Sequence, residues 1–311
     1  MTPDAGAFEP WLHAIPGFSS ARVLSIEPVS GGASNITCRV TIADGPVPAV
    51  ALRIQRDRGI FEPYDVIREG EVLRRLAPSS IPVPTVIGSE PDPAVLGGPF
   101  IVMQWIDAPH MGEAGPEADY GAYTAMVVAI HALDWQRFGL DLLGTPSSPA
   151  EAVRAELDSV ARRMTAFGCE CDPLLVRALQ RLQADAPADG RLTLCQGDIN
   201  VFNYLFRQRR VVGVVDWEQA RISDPRSDIG QLVALGNLRG APFGRAEDAN
   251  FVRSYEAVSG VPLWGMEYFR ARWLFELGVI YHGWKKFNDS DPWYSWAQLA
   301  TALERSLDAL D

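Results

Sequence analysis

Lysine is nearly missing from this chain: among 311 residues only Lys285 and Lys286 carry an ammonium side chain, and every other basic residue is arginine. A phosphate loop built around a lysine is thereby excluded. Cysteine and histidine are scarce as well. Cys38, Cys169, Cys171 and Cys195 are too few and too scattered for a disulfide framework, and "CEC" at 169–171 has neither a second pair nor a neighbouring histidine to complete a zinc set. His13, His110, His131 and His282 are dispersed, which argues against histidine as a general base. No apolar run approaches the roughly 20 residues that span a bilayer. The opening "MTPDAGAFEPWLHAIPGF" has no basic region followed by an apolar block, so a cytoplasmic protein with no membrane partner is expected. Positive charge is in deficit too: the net charge of -11 argues against nucleic acid as a partner and is compatible with cationic small molecules.

What is present is an ordinary globular composition, 47% hydrophobic and 22% charged, long enough for two lobes. The segment "VLSIEPVSGGASNITCRVTIADGPVPAVALRIQ" predicts three antiparallel strands over 23–29, 36–42 and 49–54, and in the second Ile36, Cys38, Val40 and Ile42 share one face. In "YDVIREGEVLRRLA", Ile67, Val72, Leu73 and Leu76 fall at helical spacing, and the prolines of "SSIPVPTVIG" stop the helix. A buried strand over 100–106 leads into a proline-containing segment, a natural boundary. Beyond it helical patterns dominate, near 118–133, 150–167, 173–184, 227–236, 246–258, 265–286 and 293–309. The expected fold class is α+β, a small antiparallel-sheet lobe over 1–106 followed by a larger, mainly helical lobe over 107–311.

Between those helices lie two short apolar runs carrying polar groups, "LCQGDINVFNYLF" and "VVGVVDWE". Three buried polar residues at neighbouring strand ends suggest a shared ligand, because each alone would be costly to bury. The oxygens of Asn203 and Asp216 suit Mg2+, which takes one or two protein groups together with phosphate oxygens. Asp198 is then left to orient an attacking hydroxyl and accept its proton, as phosphoryl transfer requires.

With "GDINVFN" followed by an apolar strand, the turn "RQRR", a second strand and "DWE", and with sheet elements preceding, the chain resembles the aminoglycoside phosphotransferase and choline kinase-like family. These are small-molecule relatives of protein kinases, and the resemblance runs from "SGGASN" to the last helices. It implies a bilobal protein kinase-like fold and transfer of the γ-phosphate of ATP or GTP to a hydroxylated, small and in some cases cationic acceptor. "QGDINVFN" resembles the family's catalytic loop and "VVDWE" its metal-binding segment, which implies Asp198 as catalytic group and Asn203 and Asp216 as Mg2+ ligands. Gln196 stands where the family usually has histidine, a departure that bears on loop rigidity. In "DPRSDIGQL", Asp228 corresponds to an acid that braces the loop, and His131 lies in a His-x-x-Asp segment common in the family, where a packed or hydrogen-bonded helix position is the simpler reading.

The resemblance further implies that Gly31, Gly32 and Ser34 cover the nucleotide phosphates, with amides of a small-residue turn approaching them closely. Arg53 occupies the position of the usual phosphate lysine, and its planar fork can grip two oxygens. Glu69 is the implied partner of Arg53; its rival Glu71, two residues on, faces elsewhere on the helix. Met103, Gln104 and Ile106 are implied around the nucleotide base. Near the end, Trp264, Tyr268, Trp273, Trp284, Trp293, Tyr294 and Trp296, with Glu267, Glu276, Asp289 and Asp291, offer either core packing or an acceptor wall. Two other readings stay open: a nucleotide-binding module that no longer transfers phosphate, and transfer of a nucleotidyl group with release of pyrophosphate.

Overall fold

The computed structural model describes residues 3–29, 34–236, 238, 247–288 and 290–310. The chain divides into two compact units, Met1–Ala108 with Gly213–Glu218, and Pro109–Val212 with Gln219–Asp311.

The first unit opens with α1 (Ala5–His13), capped by the Asp4 carboxylate accepting from the Gly6 amide. Its short span and internal Pro10 give little helical periodicity to read, and the sequence did not suggest this helix. Then come β1 (Arg22–Pro28), β2 (Ile36–Ala43), β3 (Ala49–Ile54), α2 (Val66–Leu76), β4 (Val86–Glu90) and β5 (Phe100–Gln104). The five strands make one antiparallel sheet in the order β1-β2-β3-β5-β4. Alternation in β2 does what alternation should: Cys38, Val40 and Ile42 are buried on one face, joined by Leu52 of β3 and Phe100 and Val102 of β5. Phe8 and Leu12 of α1 close this core, and Trp11 packs edge-on to Phe100 with centroids 4.8 Å apart. On α2, the side chain of Asp65 caps the helix through the Arg68 amide, and Gly70 admits Ile101 so closely that a Cβ would sit 2.9 Å from its Cγ2. That close seating brings Glu69, on the same helix, into the interior.

In the second unit α3 (Tyr120–Ala132), α4 (Pro149–Phe167) and α5 (Pro173–Ala184) precede β6 (Thr193–Cys195). Next come β7 (Tyr204–Arg207), β8 (Arg210–Val214), whose last two residues belong to the first unit, and β9 (Arg221–Ser223). They are followed by α6 (Pro225–Gly236), α7 (Glu247–Ser259), α8 (Met266–Phe287) and α9 (Trp296–Asp308). β6 pairs antiparallel with β9, and β7 with β8 across a turn in which Gln208 and Arg209 both have positive φ, the two-residue geometry that suits strand twist. α8 is the axis of this unit and packs against α4, α5, α6 and α9. No helix among the described residues is long and apolar enough to cross a membrane.

Because Phe100 is wholly buried between α1 and the sheet, Phe100→Ala is expected to lower the unfolding free energy by about 3–5 kcal/mol. Urea denaturation followed by Trp fluorescence reads this as a lower midpoint; an unchanged midpoint would contradict this packing of α1.

Candidate active site

In the second unit the loop after β6 begins with a constraint on backbone. Gly197 has φ +90, and a Cβ there would lie 2.1 Å from the carbonyl oxygen of Gln219, so only glycine fits. The fully buried carboxylate of Asp228, on the first turn of α6, accepts the amide hydrogens of Gln196 (2.8 Å) and Gly197 (3.0 Å). His131 lies behind it, its Nε2 at 3.2 Å from Asp228 Oδ2 and its Nδ1 at 2.9 Å from the Tyr255 hydroxyl. Since a carboxylate only accepts, Nε2 carries the donated proton. Burial by itself would raise the Asp228 carboxyl; the hydrogen bond and charge of His131, then the Arg221 guanidinium and the Gly197 amide, hold it below the ordinary carboxylate range. Gln196, also fully buried, accepts from the Tyr204 hydroxyl at 2.9 Å, so an amide at this place is tied into the core from behind the loop.

The product of these constraints is the placement of Asp198. Asn203, at the end of a single 3₁₀ turn, donates through Nδ2 to both the Asp198 carbonyl and its Oδ2, each at 2.9 Å. On the other side Gln231 Nε2 donates to Asp198 Oδ1 at 2.5 Å. Asp198 and Asn203 are therefore in direct contact, and because the nitrogen of the Asn203 amide is spent on Asp198, its oxygen is the atom suited to a hard cation. Gln231 and His131 were not singled out as site residues from sequence. Gln231 lies three residues beyond Asp228 and so on the same helix face, a spacing that could have marked it.

In the first unit Arg53 of β3 is buried among acids. Its Nε is 2.8 Å from Glu69 Oε2, and its Nη2 is 2.8 Å from both Asp216 Oδ1 and Glu218 Oε2, while Nη1 donates to Thr37 at 3.1 Å. Glu71 instead pairs with Arg75 on the outer face of α2 at 2.7 Å. Asp216 has φ +62, an uncommon conformation for a residue with a side chain, and such strain gathers at functional positions. The adjacent Trp217 is pinned through its amide to Glu69 Oε1 at 3.2 Å.

One guanidinium against three carboxylates leaves excess negative charge. Burial first, and then the Asp216 carboxylate, push the Glu218 carboxyl up to about 8 against the pull of Arg53. Burial likewise raises Glu69 against Arg53, and the three acids outweigh burial at Arg53 and hold its guanidinium more firmly charged than usual. A divalent cation would balance the set, so the donor chemistry around Asp216 fits Mg2+.

Gly31 and Gly32 lie outside the described residues. Ser34, which follows them, is buried and hydrogen-bonds Glu218, and Asn35 Nδ2 donates to Glu218 Oε2 at 2.7 Å. Glu218 and Asn35 were missed by sequence reasoning, although the second acid of "DWE" was in view. Met103 is buried in β5 beside Ala51 of β3. The Gln104 amide already donates to the Thr85 carbonyl at 2.8 Å, and the Ile106 carbonyl accepts from Ala108 at 2.9 Å.

Of the two readings of the late aromatics and acids, core packing is the one the structure shows for several of them. Tyr268, Trp273 and Tyr294 are core residues whose polar atoms bond the carbonyls of Leu182, Ser227 and Leu277. Glu276 is buried too, paired with Arg163 and, at 2.8 Å, with Arg272. From there the chain of charges continues through Glu156 (2.8 Å from Arg272) to Arg221 (3.2 Å from Glu156), which faces Asp228 at 3.7 Å. Trp264 and Trp293 are exposed, and Asp289 lies outside the described residues.

The model of the phosphotransferase enzyme family matches residues 25–272. Acyl-CoA dehydrogenase family member 10 of Mus musculus is 26% identical over 241 residues, which are 74% of this chain and 22% of that protein. The chain spans less than a third of the length of the curated relatives it matches. Among solved structures, choline kinase from Cryptosporidium parvum Iowa II is similar over 98% of this chain and 95% of its own, at 14% identity and a TM-score of 0.68. A thermostable mutant of aminoglycoside phosphotransferase APH(4)-Ia, in ternary complex with ADP and hygromycin B, is similar over 93% and 95%, at 15% identity and a TM-score of 0.63. The fold is thus α+β and protein kinase-like.

The charge network makes a prediction about acid stability. Burial raises the Glu276 carboxyl, but Arg272 and Arg163 outweigh it and bring it from 4.5 down to about 2. A depressed carboxyl stabilises the fold above its unfolded value and loses that contribution as pH falls through the folded value. Glu276→Gln is therefore expected to cost roughly 3 kcal/mol at pH 7, with the deficit shrinking between about pH 4.5 and pH 2. Urea unfolding across that range checks it; a deficit independent of pH would refute the ionic origin.

Proposed function

Because this chain belongs to the phosphotransferase enzyme family, and with it to the small-molecule kinases, we propose that it moves the γ-phosphate of ATP or GTP to a hydroxyl of a small acceptor, with Asp198 as the group that receives the hydroxyl proton. The observation that carries this reading is the Asp198 carboxylate, gripped by Asn203 and Gln231 on a loop whose backbone is fixed by buried Asp228. A carboxylate held in one orientation is suited to aligning an alcohol, and positioning together with electrostatic stabilisation supplies nearly all of the catalysis in phosphoryl transfer.

In this reading the Asn203 oxygen and the Asp216 carboxylate hold Mg2+. Bound there, Mg2+ supplies neutralisation of phosphate charge. Arg53, oriented by Glu69, turns donors toward the phosphates; residues Gly31, Gly32 and Ser34 cover them; and Met103, Gln104 and Ile106 adjoin the base. The two lobes then divide the work at about residue 106, with nucleotide cover from 1–106 and catalysis and acceptor binding from 107–311. Such an enzyme works where nucleotide triphosphate is plentiful, in the cytoplasm.

The similar proteins suggest acceptors by their names. Hygromycin B and choline are amine-bearing alcohols, which accords with a net charge of -11. The relatives named for acyl-CoA add hydroxylated acyl-CoA thioesters to the compounds worth testing. A module that binds nucleotide without transfer is the second reading, favoured by the way Arg53 spends four contacts on Glu69, Asp216, Glu218 and Thr37.

The test is coupled detection of ADP across aminoglycosides, macrolides, choline, amino alcohols, sugars and hydroxyacyl-CoA. Acceptor-dependent ADP release is expected for at least one class, and Asp198→Ala should lower it by about 10²–10⁴-fold while nucleotide affinity persists. Full activity in that variant would refute the assignment. Asn203→Ala and Asp216→Ala should weaken nucleotide binding in calorimetry with Mg2+ and leave binding without metal less affected.

A further inference from the structure

One face of α3 meets the loop of Asp198 on both sides of that residue. Tyr123, Val127 and His131 recur every four positions, so they line one face of the helix, and all three are buried. His131 acts on the entry to the loop through Asp228, whose carboxylate holds the amides of Gln196 and Gly197. Two turns earlier, about 12 Å along the axis, the hydroxyl of the wholly buried Tyr123 donates to the carbonyl of Ile199 at 2.5 Å. Ile199 directly follows Asp198, so the loop is gripped before and after its carboxylate.

The second grip reaches Asn203. Fixing the Ile199 carbonyl fixes the plane of the peptide that joins it to Asn200. Asn200 starts the 3₁₀ turn: its side chain accepts from the Phe202 amide at 3.1 Å and its carbonyl from the Asn203 amide at 2.9 Å. Asn203 then returns to Asp198 through Nδ2. The Tyr123 ring is itself held, edge-on to Tyr204 with centroids 4.7 Å apart and against Phe251 of α7 at 5.5 Å. Burial, then Tyr204, Tyr120 and Asp198, raise the Tyr123 phenol well above its ordinary range, so it stays a donor.

We infer that Tyr123 is a positioning residue for the reaction at Asp198: its hydroxyl, by holding the Ile199 carbonyl, sets the spacing of Asp198 and Asn203, and α3 is one rigid splint for both ends of the loop. Packing alone would be served by a phenyl ring. A buried hydroxyl costs free energy unless it is bonded, and here its bond is to the loop. What Asp198 does in the reaction rests on the phosphotransferase reading, whereas the placement of the loop does not.

Two variants of the full chain separate positioning from packing. Tyr123→Phe removes the hydroxyl and keeps the ring. Val127→Ala, midway between Tyr123 and His131 and wholly buried, removes packing alone. NMR hydrogen exchange at the Asn203 amide reads the loop, measured against the Val160 amide of α4 so that global stability cancels. Coupled ADP release reads the reaction, with the most active acceptor of the panel, or with water where none is active. The wild-type Asn203 amide is expected to be protected by about 10²-fold or more, although it lies in a single 3₁₀ turn. In Tyr123→Phe its exchange should be about tenfold or more faster, and kcat about tenfold or more lower with KM for ATP within about threefold. Val127→Ala should lower the thermal midpoint further than Tyr123→Phe does, yet keep relative exchange and kcat within about threefold of wild type.

An unprotected Asn203 amide in wild type, unchanged exchange or unchanged kcat in Tyr123→Phe, or the same losses in Val127→Ala overturns the inference. A Tyr123→Phe chain that fails to fold overturns it too, since the hydroxyl would then hold the fold and not the loop. Faster exchange in Tyr123→Phe with no ADP released by wild type, with any acceptor or with water, would leave the hold on the loop standing and remove the phosphotransferase reading instead.

Discussion

The carboxylate of Asp228 sits wholly inside the protein, and what it holds decides where Asp198 can be. A buried carboxylate is tolerable only when several donors meet it. Here two backbone amides, an imidazole and a more distant guanidinium do so, and the amides belong to the two residues before Asp198. The loop is thereby fixed by its backbone, which does not depend on which side chain occupies position 196. That explains how Gln196 is accommodated. Tyr204 anchors its amide. The chain of ion pairs from Glu276 through Arg272, Glu156 and Arg221 supports Asp228 in turn, so the charges of α8 that sequence suggested for acceptor binding serve the loop from behind.

The first unit shows a different principle, imbalance instead of satisfaction. Arg53 meets three carboxyl groups, so acid outnumbers base in a buried place and burial raises Glu69 and Glu218. An arginine fork can address acids on several sides at once, whereas a lysine ammonium is a point charge. The guanidinium at this position contacts Glu218, which also meets Ser34 and Asn35. Asp216, held in a strained backbone conformation at the end of that cluster, is the acid a metal would relieve most directly.

Much of this is legible in the order of residues along the chain. Period-two alternation in β2 and helical spacing in α2 are strong local signals, and the strand and helix boundaries fall within a few residues of those expected. The spacing of Asp198 and Asn203 was legible because their contact is local. What escaped was set by distant contacts or weak patterns. α1 is short and interrupted by Pro10; β6 and β9 are three residues each and exist as a pair only in three dimensions. Glu218 and Gln231 acquire meaning from Arg53 and Asp198, which lie 165 and 33 positions away in sequence. The charge of Glu276 left both core and binding-wall readings open, and its burial beside Arg163 and Arg272 decides for the core.

The central claim is that the chemistry at Asp198 joins a phosphoryl group to an alcohol. It is tested most directly by ³¹P NMR of ATP and Mg2+ incubated with the full chain and each acceptor class. The account predicts one new phosphomonoester resonance growing in step with ADP. Pyrophosphate with AMP attached to another group, or no phosphorus product beyond ATP itself, would contradict it.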